Sequence, residues 1–254
     1  VTWKTRMLSG KAAVEYIVSC SRRFRVSCYF QGCSQKGVTK EHIPPKAFFP
    51  KDEKDQLLTV KSCVAHNNAK SKDDLYVLAQ ICMNASPSNR AREIFLKKVR
   101  PQLDFNNGAL RKKLAAGSVK LPDGSVKYPV DTKRLNEFFD ALSCGIIFKS
   151  CGSALPDNYS INHVYCSLTR EQDSVMSQLE TKIEEFYFGK PMDFMEFGKP
   201  NTNNERIYTV EVFGIPNFGS SITLVHVFYG KFKVISMLTN VVKNTANKPK
   251  HADA

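Results

Sequence analysis

The sequence lacks any long hydrophobic run. No apolar segment approaches the roughly 20 residues that a membrane-spanning helix needs, and the basic N-terminus lacks the apolar core of a secretory signal. These absences predict a cytoplasmic protein with no membrane contact. The hydrophobic fraction of 42% is ordinary for a globular chain, so wholesale disorder is not expected either.

Acidic residues are scarce in the first part of the chain. Residues 1–150 contain 27 Lys and Arg against 13 Asp and Glu, whereas residues 151–254 contain 10 against 11. Basic groups release counterions when they neutralise phosphates, so residues 1–150 are predicted to bind nucleic acid. A generally basic, solvent-facing surface is the alternative. The predicted contacts all lie in this half: Arg22, Arg23, Arg25, Lys70, Lys97, Lys98, Arg111, Lys112 and Lys113.

A disulfide framework is not expected, although the chain has eight cysteines. Four bridges would be unusual in a cytoplasmic protein of this size. Three cysteines have the spacing of metal ligands, as described next. The other five are predicted to be reduced thiols that pack as small hydrophobic groups: Cys20, Cys82, Cys144, Cys151 and Cys166.

Two short-spaced pairs form candidate zinc knuckles. Four residues separate Cys28 from Cys33, and two residues separate Cys63 from His66. Thiolate and imidazole are the usual ligands of structural zinc, which is tetrahedral. The four side chains are therefore predicted to hold one Zn²⁺, which would stabilise a small, loop-rich core.

A second set of polar residues lies beside the knuckles. Glu41 and His42 stand between the two pairs, and Asn67 directly follows the second pair. Closing the knuckles on one zinc would bring these three side chains together. Carboxylate and amide oxygens bind hard cations such as Mg²⁺, which keeps several waters and needs few protein ligands. A second metal site is therefore predicted here.

The strings EHIPPKAFFP and LLTVKSCVAHNNAKS contain an acid-His pair, a short strand, and a knuckle followed by Asn-x-x-Lys. This region, about residues 28 to 82, resembles the HNH (ββα-metal) endonucleases of the zinc-knuckle branch. The resemblance implies that His42 is the general base and that Glu41 and Asn67 bind a catalytic Mg²⁺ or Mn²⁺. Gln56 stands where the family has an asparagine that orients the base.

The resemblance implies a metal-dependent endonuclease that hydrolyses DNA phosphodiester bonds, in a setting such as phage defence or restriction. His66 replaces the family's fourth zinc cysteine, and both residue types bind zinc. The alternative is a catalytically inactive zinc module that binds nucleic acid or a protein partner, for which Gln56 is the best support. Asp74 is interpreted as a helix-surface acid in preference to a catalytic group.

The predicted fold class is α+β, with a zinc-stabilised HNH core, helices, and an antiparallel-sheet C-terminal region. Three regions are predicted: a nuclease core (1–86), helices with a β-hairpin (87–154), and an accessory domain with a disordered tail (155–254). The accessory domain would mediate self-association or bind a protein partner. His163 and His226 lie within strand patterns and are interpreted as structural.

Periodicity and turn residues predict the main elements. The pattern favours a helix from Asn67 onward, and a second from Ser88 to Val99 that Pro101 ends. A hairpin is predicted around Pro122, with alternate side chains facing in and out, and Asp131 is predicted to cap an amphipathic helix. Four strands are predicted after Pro156 (HVYCSL, RIYTVEVFG, SITLVHVFY and KFKVISML), with a helix at 171–185 packed across them.

Overall fold

The structure is a computed structural model, and it describes residues 27–54, 57–71, 73–168, 173–198, 206–214 and 218–241. The predictions made for Cys20, Arg22, Arg23, Arg25, Gln56 and the C-terminal tail lie outside these residues. Within them the chain is α+β, as predicted.

The first elements are two strands and a helix. Strands β1 (Thr39–Ile43) and β2 (Leu58–Ser62) pair antiparallel, with His42 opposite Thr59. Alternate β2 side chains are buried, as expected for a strand with one face on the core. Helix α1 (Val64–Ser71) follows β2 after one residue. Helix α1 contacts β1.

The helix predicted from Asn67 onward is two helices. Helix α1 already begins before Asn67, and α2 (Asp74–Asn84) starts anew after Ser71. Asp74 therefore stands in the first turn of a second helix, and not two turns along the helix that contains Asn67. Residues 76–82 of α2 are all buried, so over this stretch the helix lies within the core on every side.

The second predicted helix is capped by Ser88, whose Oγ accepts from the Ala91 N–H at 3.1 Å, but it does not end at Pro101. After α3 (Asn89–Ile94) comes a π-helical turn, and the helix continues as α4 (Arg100–Leu103). Proline is tolerated in the first turn of a helix, where its missing N–H costs little. The prediction that Pro101 stops the helix is wrong for this reason. Helix α5 (Phe105–Ala115) follows α4.

The predicted hairpin and capped helix are both present. Strands β3 (Val119–Lys120) and β4 (Val126–Lys127) pair antiparallel, but both faces are exposed, so the expected alternation is wrong. Helix α6 (Thr132–Cys151) begins where the Asp131 carboxylate accepts from the Arg134 N–H at 3.3 Å. Its buried residues include the predicted apolar face: Leu135, Phe138, Phe139, Leu142 and Ile146.

The C-terminal part forms a five-stranded antiparallel sheet in the order β5-β9-β8-β7-β6. One edge strand, β6, was not predicted, because the segment MDFMEF carries charged residues typical of an exposed edge. The α-helix Asp173–Phe186, labelled α7, packs on one face of the sheet, where Ile183 and Tyr187, the residue after the helix, contact Val225 and Ile235. The elements are β5 (Tyr159–Tyr165), α7 (Asp173–Phe186), β6 (Met192–Phe197), β7 (Tyr208–Phe213), β8 (Ile222–Phe228) and β9 (Phe232–Asn240).

Helix α6 joins this sheet to the β1–β2 hairpin. The Phe48 ring lies 5.2 Å from the Phe138 ring and 5.5 Å from the Phe228 ring. A Cβ at Gly145 of α6 would stand 1.8 Å from Ile43 Cδ1, so only glycine allows β1 to approach the helix this closely. In the part of the chain that the structure describes, no helix is long and apolar enough to cross a membrane.

Candidate functional site

The predicted zinc ligands converge in the structure. Their ligand atoms, Sγ of Cys28, Cys33 and Cys63 and a ring nitrogen of His66, all lie within 4.8 Å of one another. The Cys33 and Cys63 sulfurs are 3.9 Å apart, and Cys63 Sγ lies 3.2 Å from His66 Nδ1. Zinc–sulfur bonds of about 2.3 Å in a tetrahedron require sulfurs about 3.8 Å apart. The cluster could therefore hold a metal such as zinc.

Local turns shape this cluster. Gly32 adopts a left-handed φ of +70° within the first knuckle, a conformation that favours glycine. In the second knuckle the His66 N–H points at Cys63 Sγ, with a nitrogen–sulfur distance of 3.5 Å. The Phe30 ring stacks on the His66 ring at 4.4 Å, which fixes the imidazole. Each knuckle thus has its own local turn or contact, and the Phe30–His66 stacking joins the two knuckles.

Burial governs the ionisation of the thiols. It raises the pKa of Cys28 to about 11, and the neighbouring Cys33 thiol acts in the same direction. At Cys63 burial also raises the pKa, but hydrogen bonds from the His66 backbone and the other thiols outweigh it and lower the pKa overall. Three ionised sulfurs this close would repel one another, so the donor set suits a divalent cation that displaces their protons.

A cleft of about 200 Å³ lies beside the cysteine cluster. Glu41 and His42 of β1 line it, together with Asn67 in the first turn of α1. The three residues predicted to form the second metal site are therefore brought to one place. The complete lining is Lys40, Glu41, His42, Pro45, Lys46, Asn67 and Asp74.

Tyr29 holds the Glu41 carboxylate. The Tyr29 hydroxyl donates to Glu41 Oε1 at 3.0 Å, and both side chains are buried. Burial, followed by the Glu41 charge, raises the pKa of Tyr29, so the phenol remains a donor. Tyr29 directly follows the metal-ligand candidate Cys28, and its N–H donates to the Lys61 carbonyl of β2 at 2.9 Å. The knuckle and the cleft are thus connected through one residue.

His42 is the titratable base of the cleft. Its side chain is half-buried, and burial followed by the positive charge of Lys46 lowers its pKa below the usual 6.5. A lowered pKa keeps the imidazole neutral near pH 7, the form that can accept a proton. The environment of His42 therefore suits a general base.

Sequence reasoning missed three charged members of this site. Asp74 lines the cleft, although its sequence position indicated only a helix-surface acid. Lys40 and Lys46 also line the cleft, and they place positive charge next to the carboxylates. The acid-rich SKDD string was the available signal for Asp74, but the break between α1 and α2 that turns it toward the cleft has no signature in the periodicity.

Several predicted phosphate contacts are occupied by intramolecular partners. Lys97 pairs with Glu93 at 2.8 Å, and Arg111 pairs with Asp104. Lys98 is half-buried and donates to the Ala47 carbonyl at 2.8 Å, so its ammonium stabilises the connection between β1 and β2.

A second polar cluster lies in the C-terminal core. His163 Nε2 is 3.0 Å from the Asp140 carboxylate, and His163 Nδ1 is 2.8 Å from Ser236 Oγ. Ser236 also contacts His226 at 3.0 Å, and His226 contacts the Tyr208 hydroxyl at 2.8 Å. We call these five residues the buried polar cluster. Its order resembles an Asp-His-Ser arrangement, but Ser236 and His226 are completely buried, so no substrate reaches the serine.

No protein-family model matches this sequence, and neither the curated proteins nor the solved structures contain a significant match. The site must therefore be interpreted from its own residues.

Proposed function

We propose that the chain is a metal-dependent HNH endonuclease that hydrolyses DNA phosphodiester bonds at the cleft. One observation carries the proposal: Glu41, His42 and Asn67 line a single cleft beside a Cys3His cluster. This is the grouping that the resemblance to HNH endonucleases implies. The order of elements, two antiparallel strands followed by a helix, supports the same proposal.

The donor set of the cleft fits a hard divalent cation. Glu41 and Asn67 offer oxygen ligands, and Asp74 adds a second carboxylate to the lining. Mg²⁺ or Mn²⁺ prefers such oxygens and completes its shell with water and substrate. When bound, this ion would supply charge stabilisation for the scissile phosphate and the departing 3′ oxygen.

The side chains divide the remaining tasks. His42, neutral near pH 7, takes the proton from the attacking water. Lys40 and Lys46 hold positive charge at the cleft, where it favours the incoming phosphate. Tyr29 keeps Glu41 in place through its buried hydrogen bond. The bond broken is that between phosphorus and the 3′ oxygen, which leaves a 5′-phosphate.

The Cys3His cluster has a structural task in this proposal. Four protein ligands fill a tetrahedral shell, so a zinc held there has no position open to substrate. Its ligands flank β1 and β2, which bear the cleft.

Two adjacent asparagines provide the test. Asn67 lines the cleft, whereas Asn68 is exposed one residue later on the same helix. We expect Asn67→Ala to weaken Mn²⁺ binding and plasmid nicking more than about tenfold, because it removes an oxygen ligand. Asn68→Ala should behave as wild type. Equal behaviour of the two variants would contradict the proposed metal site, and wild-type protein that binds Mn²⁺ and DNA without cleaving would favour the inactive zinc module.

A further inference from the structure

The chain contains a largely exposed segment whose role the cleft does not explain. Between Val99 and Leu135, both buried, the structure describes every residue and no side chain is buried. This segment, residues 100–134, comprises α4, α5 and the β3–β4 hairpin, and we call it the arm. An isolated two-stranded hairpin is marginally stable in water. The exposed hairpin therefore adds little to the fold.

The base of the arm is fixed next to the cleft. The Asp131 N–H donates to the Tyr76 hydroxyl at 2.9 Å, and Arg134 pairs with Asp73. Lys113 also approaches Asp73, at 3.8 Å. Asp73 directly precedes Asp74, which lines the cleft. The base of the arm therefore contacts the residue that directly precedes one lining residue of the cleft.

The arm is basic. It contains eight Lys and Arg against three Asp, a net charge of +5. Lys112, Lys120 and Lys127 are exposed, and none of them forms an ion pair with another described residue. Uncommitted surface lysines of this kind suit phosphate groups, whose counterions they displace.

The hairpin has a composition suited to a groove. Val119 lies opposite Lys127, and Lys120 lies opposite Val126, so each face presents one valine and one lysine. The two valines are 58% and 55% exposed. A two-stranded ribbon fits the major groove of B-form DNA, where apolar side chains contact thymine methyl groups. The major groove of A-form RNA is too deep and narrow to admit it.

We propose that the arm docks on duplex DNA, with the β3–β4 hairpin in the major groove and Lys112 on the phosphate backbone. Only one part of this proposal rests on the endonuclease function, namely that the bound duplex runs toward the cleft. Binding by the arm is a separate property and is measured separately.

The test compares two triple variants of the full chain. Lys112→Gln, Lys120→Gln, Lys127→Gln removes the uncommitted lysines of the arm. Lys149→Gln, Lys182→Gln, Lys231→Gln removes three exposed lysines outside it. The probe is a labelled 20-base-pair DNA duplex, followed by fluorescence anisotropy at several salt concentrations without added divalent metal or chelator.

The arm variant should lose DNA affinity. The slope of log affinity against log salt should be shallower by about 2.7, because each of the three lysines that contacts a phosphate contributes about 0.9. The control variant should match wild type. Substituting an RNA duplex of the same sequence should remove most of the difference between the arm variant and wild type.

Two results would overturn the proposal. One is an arm variant whose DNA affinity and salt dependence equal those of wild type, a result that would favour a protein partner for the exposed valines. The other is an equal loss on DNA and RNA duplexes, which would exclude groove docking. Hydrolysis of bis(p-nitrophenyl) phosphate reports on the cleft alone, and the arm variant should retain it. If the arm variant loses DNA binding and the wild type shows no hydrolysis, DNA docking by the arm is supported and the proposed catalysis is contradicted.

Discussion

The cleft and the buried polar cluster contain similar residue types in opposite settings. Each combines histidine with a carboxylate and a neutral polar side chain. In the cleft, His42 and Asn67 are half-buried and face a space of about 200 Å³. In the buried polar cluster, His226 and Ser236 have no exposed surface.

Accessibility distinguishes a candidate site from scaffolding. One arrangement of protons satisfies the whole buried polar cluster: Tyr208 donates to His226, His226 to Ser236, Ser236 to His163, and His163 to Asp140. A buried network with its hydrogen bonds made stabilises a unique core. In the cleft, His42 and Asn67 reach solvent, whereas Glu41 is buried against Tyr29. The predicted structural role of His163 and His226 agrees with this contrast.

Metal removal should give the largest difference between the two regions. Structural zinc contributes on the order of 10 kcal/mol of apparent folding free energy in small domains. We therefore expect Cys63→Ser, or chelation of the zinc, to unfold residues 27–71 locally. The sheet around His226 should retain more protection from hydrogen exchange. Hydrogen exchange read by mass spectrometry measures both regions at once. Cys166→Ser, outside the cluster, is the control, and protein purified without zinc but with both regions protected would contradict the assignment.

Loss of the base should be next in size. We expect His42→Ala to reduce DNA cleavage about 100-fold to 10,000-fold, because a general base contributes that much to the rate. The zinc content and thermal unfolding of this variant should match wild type, because a general base is needed for the chemistry and not for the fold. Activity within a factor of a few of wild type would mean that another residue is the base.

A smaller effect is expected at Tyr29. Removing its hydroxyl with Tyr29→Phe takes away the hydrogen bond to Glu41, and losing such an outer partner typically costs 10-fold to 100-fold in metal affinity. Mn²⁺ titration should detect this loss while zinc stays bound. Tyr165→Phe removes a hydroxyl on β5 that donates to Asn136 of α6, and it should leave Mn²⁺ affinity unchanged. A wild-type Mn²⁺ affinity in Tyr29→Phe would show that the Tyr29 hydroxyl does not support metal binding in the cleft.

The smallest effect concerns pH and the buried polar cluster. Burial, followed by the nearby His163, lowers the pKa of His226 well below 6.5. The unfolded chain then takes up a proton below about pH 6.5 that the folded chain refuses, so stability falls as pH falls. His226 alone should contribute about 1.4 kcal/mol per pH unit in that range.

Urea unfolding at pH 7.5 and 5.5 measures this dependence. The loss of stability between the two should be smaller in His226→Gln than in wild type, although the variant is less stable at both. An unchanged pH dependence would show that His226 is not the titrating group.

The sequence predicted those features that depend on neighbours along the chain. The knuckles, the Asp131 cap and the apolar face of α6 each arise from local spacing, and all are present. The Cys3His cluster was predictable because its ligands come in two short-spaced pairs.

Features that depend on tertiary contacts were missed. The chain stays helical past Pro101, which stands in the first turn of α4, and the break before Asp74 brings that residue to the cleft. The bond from Tyr29 to Glu41 joins residues whose spacing carries no periodic signal. The predicted division into three regions stays a prediction.

The most direct measurement of the central claim is the chemistry of cleavage by the wild-type protein. Supercoiled plasmid is incubated with zinc-replete protein, with and without added Mg²⁺ or Mn²⁺, and the nicked product is treated with DNA ligase. We predict nicks only when the metal is added, and complete resealing, because the break leaves a 5′-phosphate and a 3′-hydroxyl. Folded, zinc-replete protein that makes no nick at any metal concentration would contradict the account.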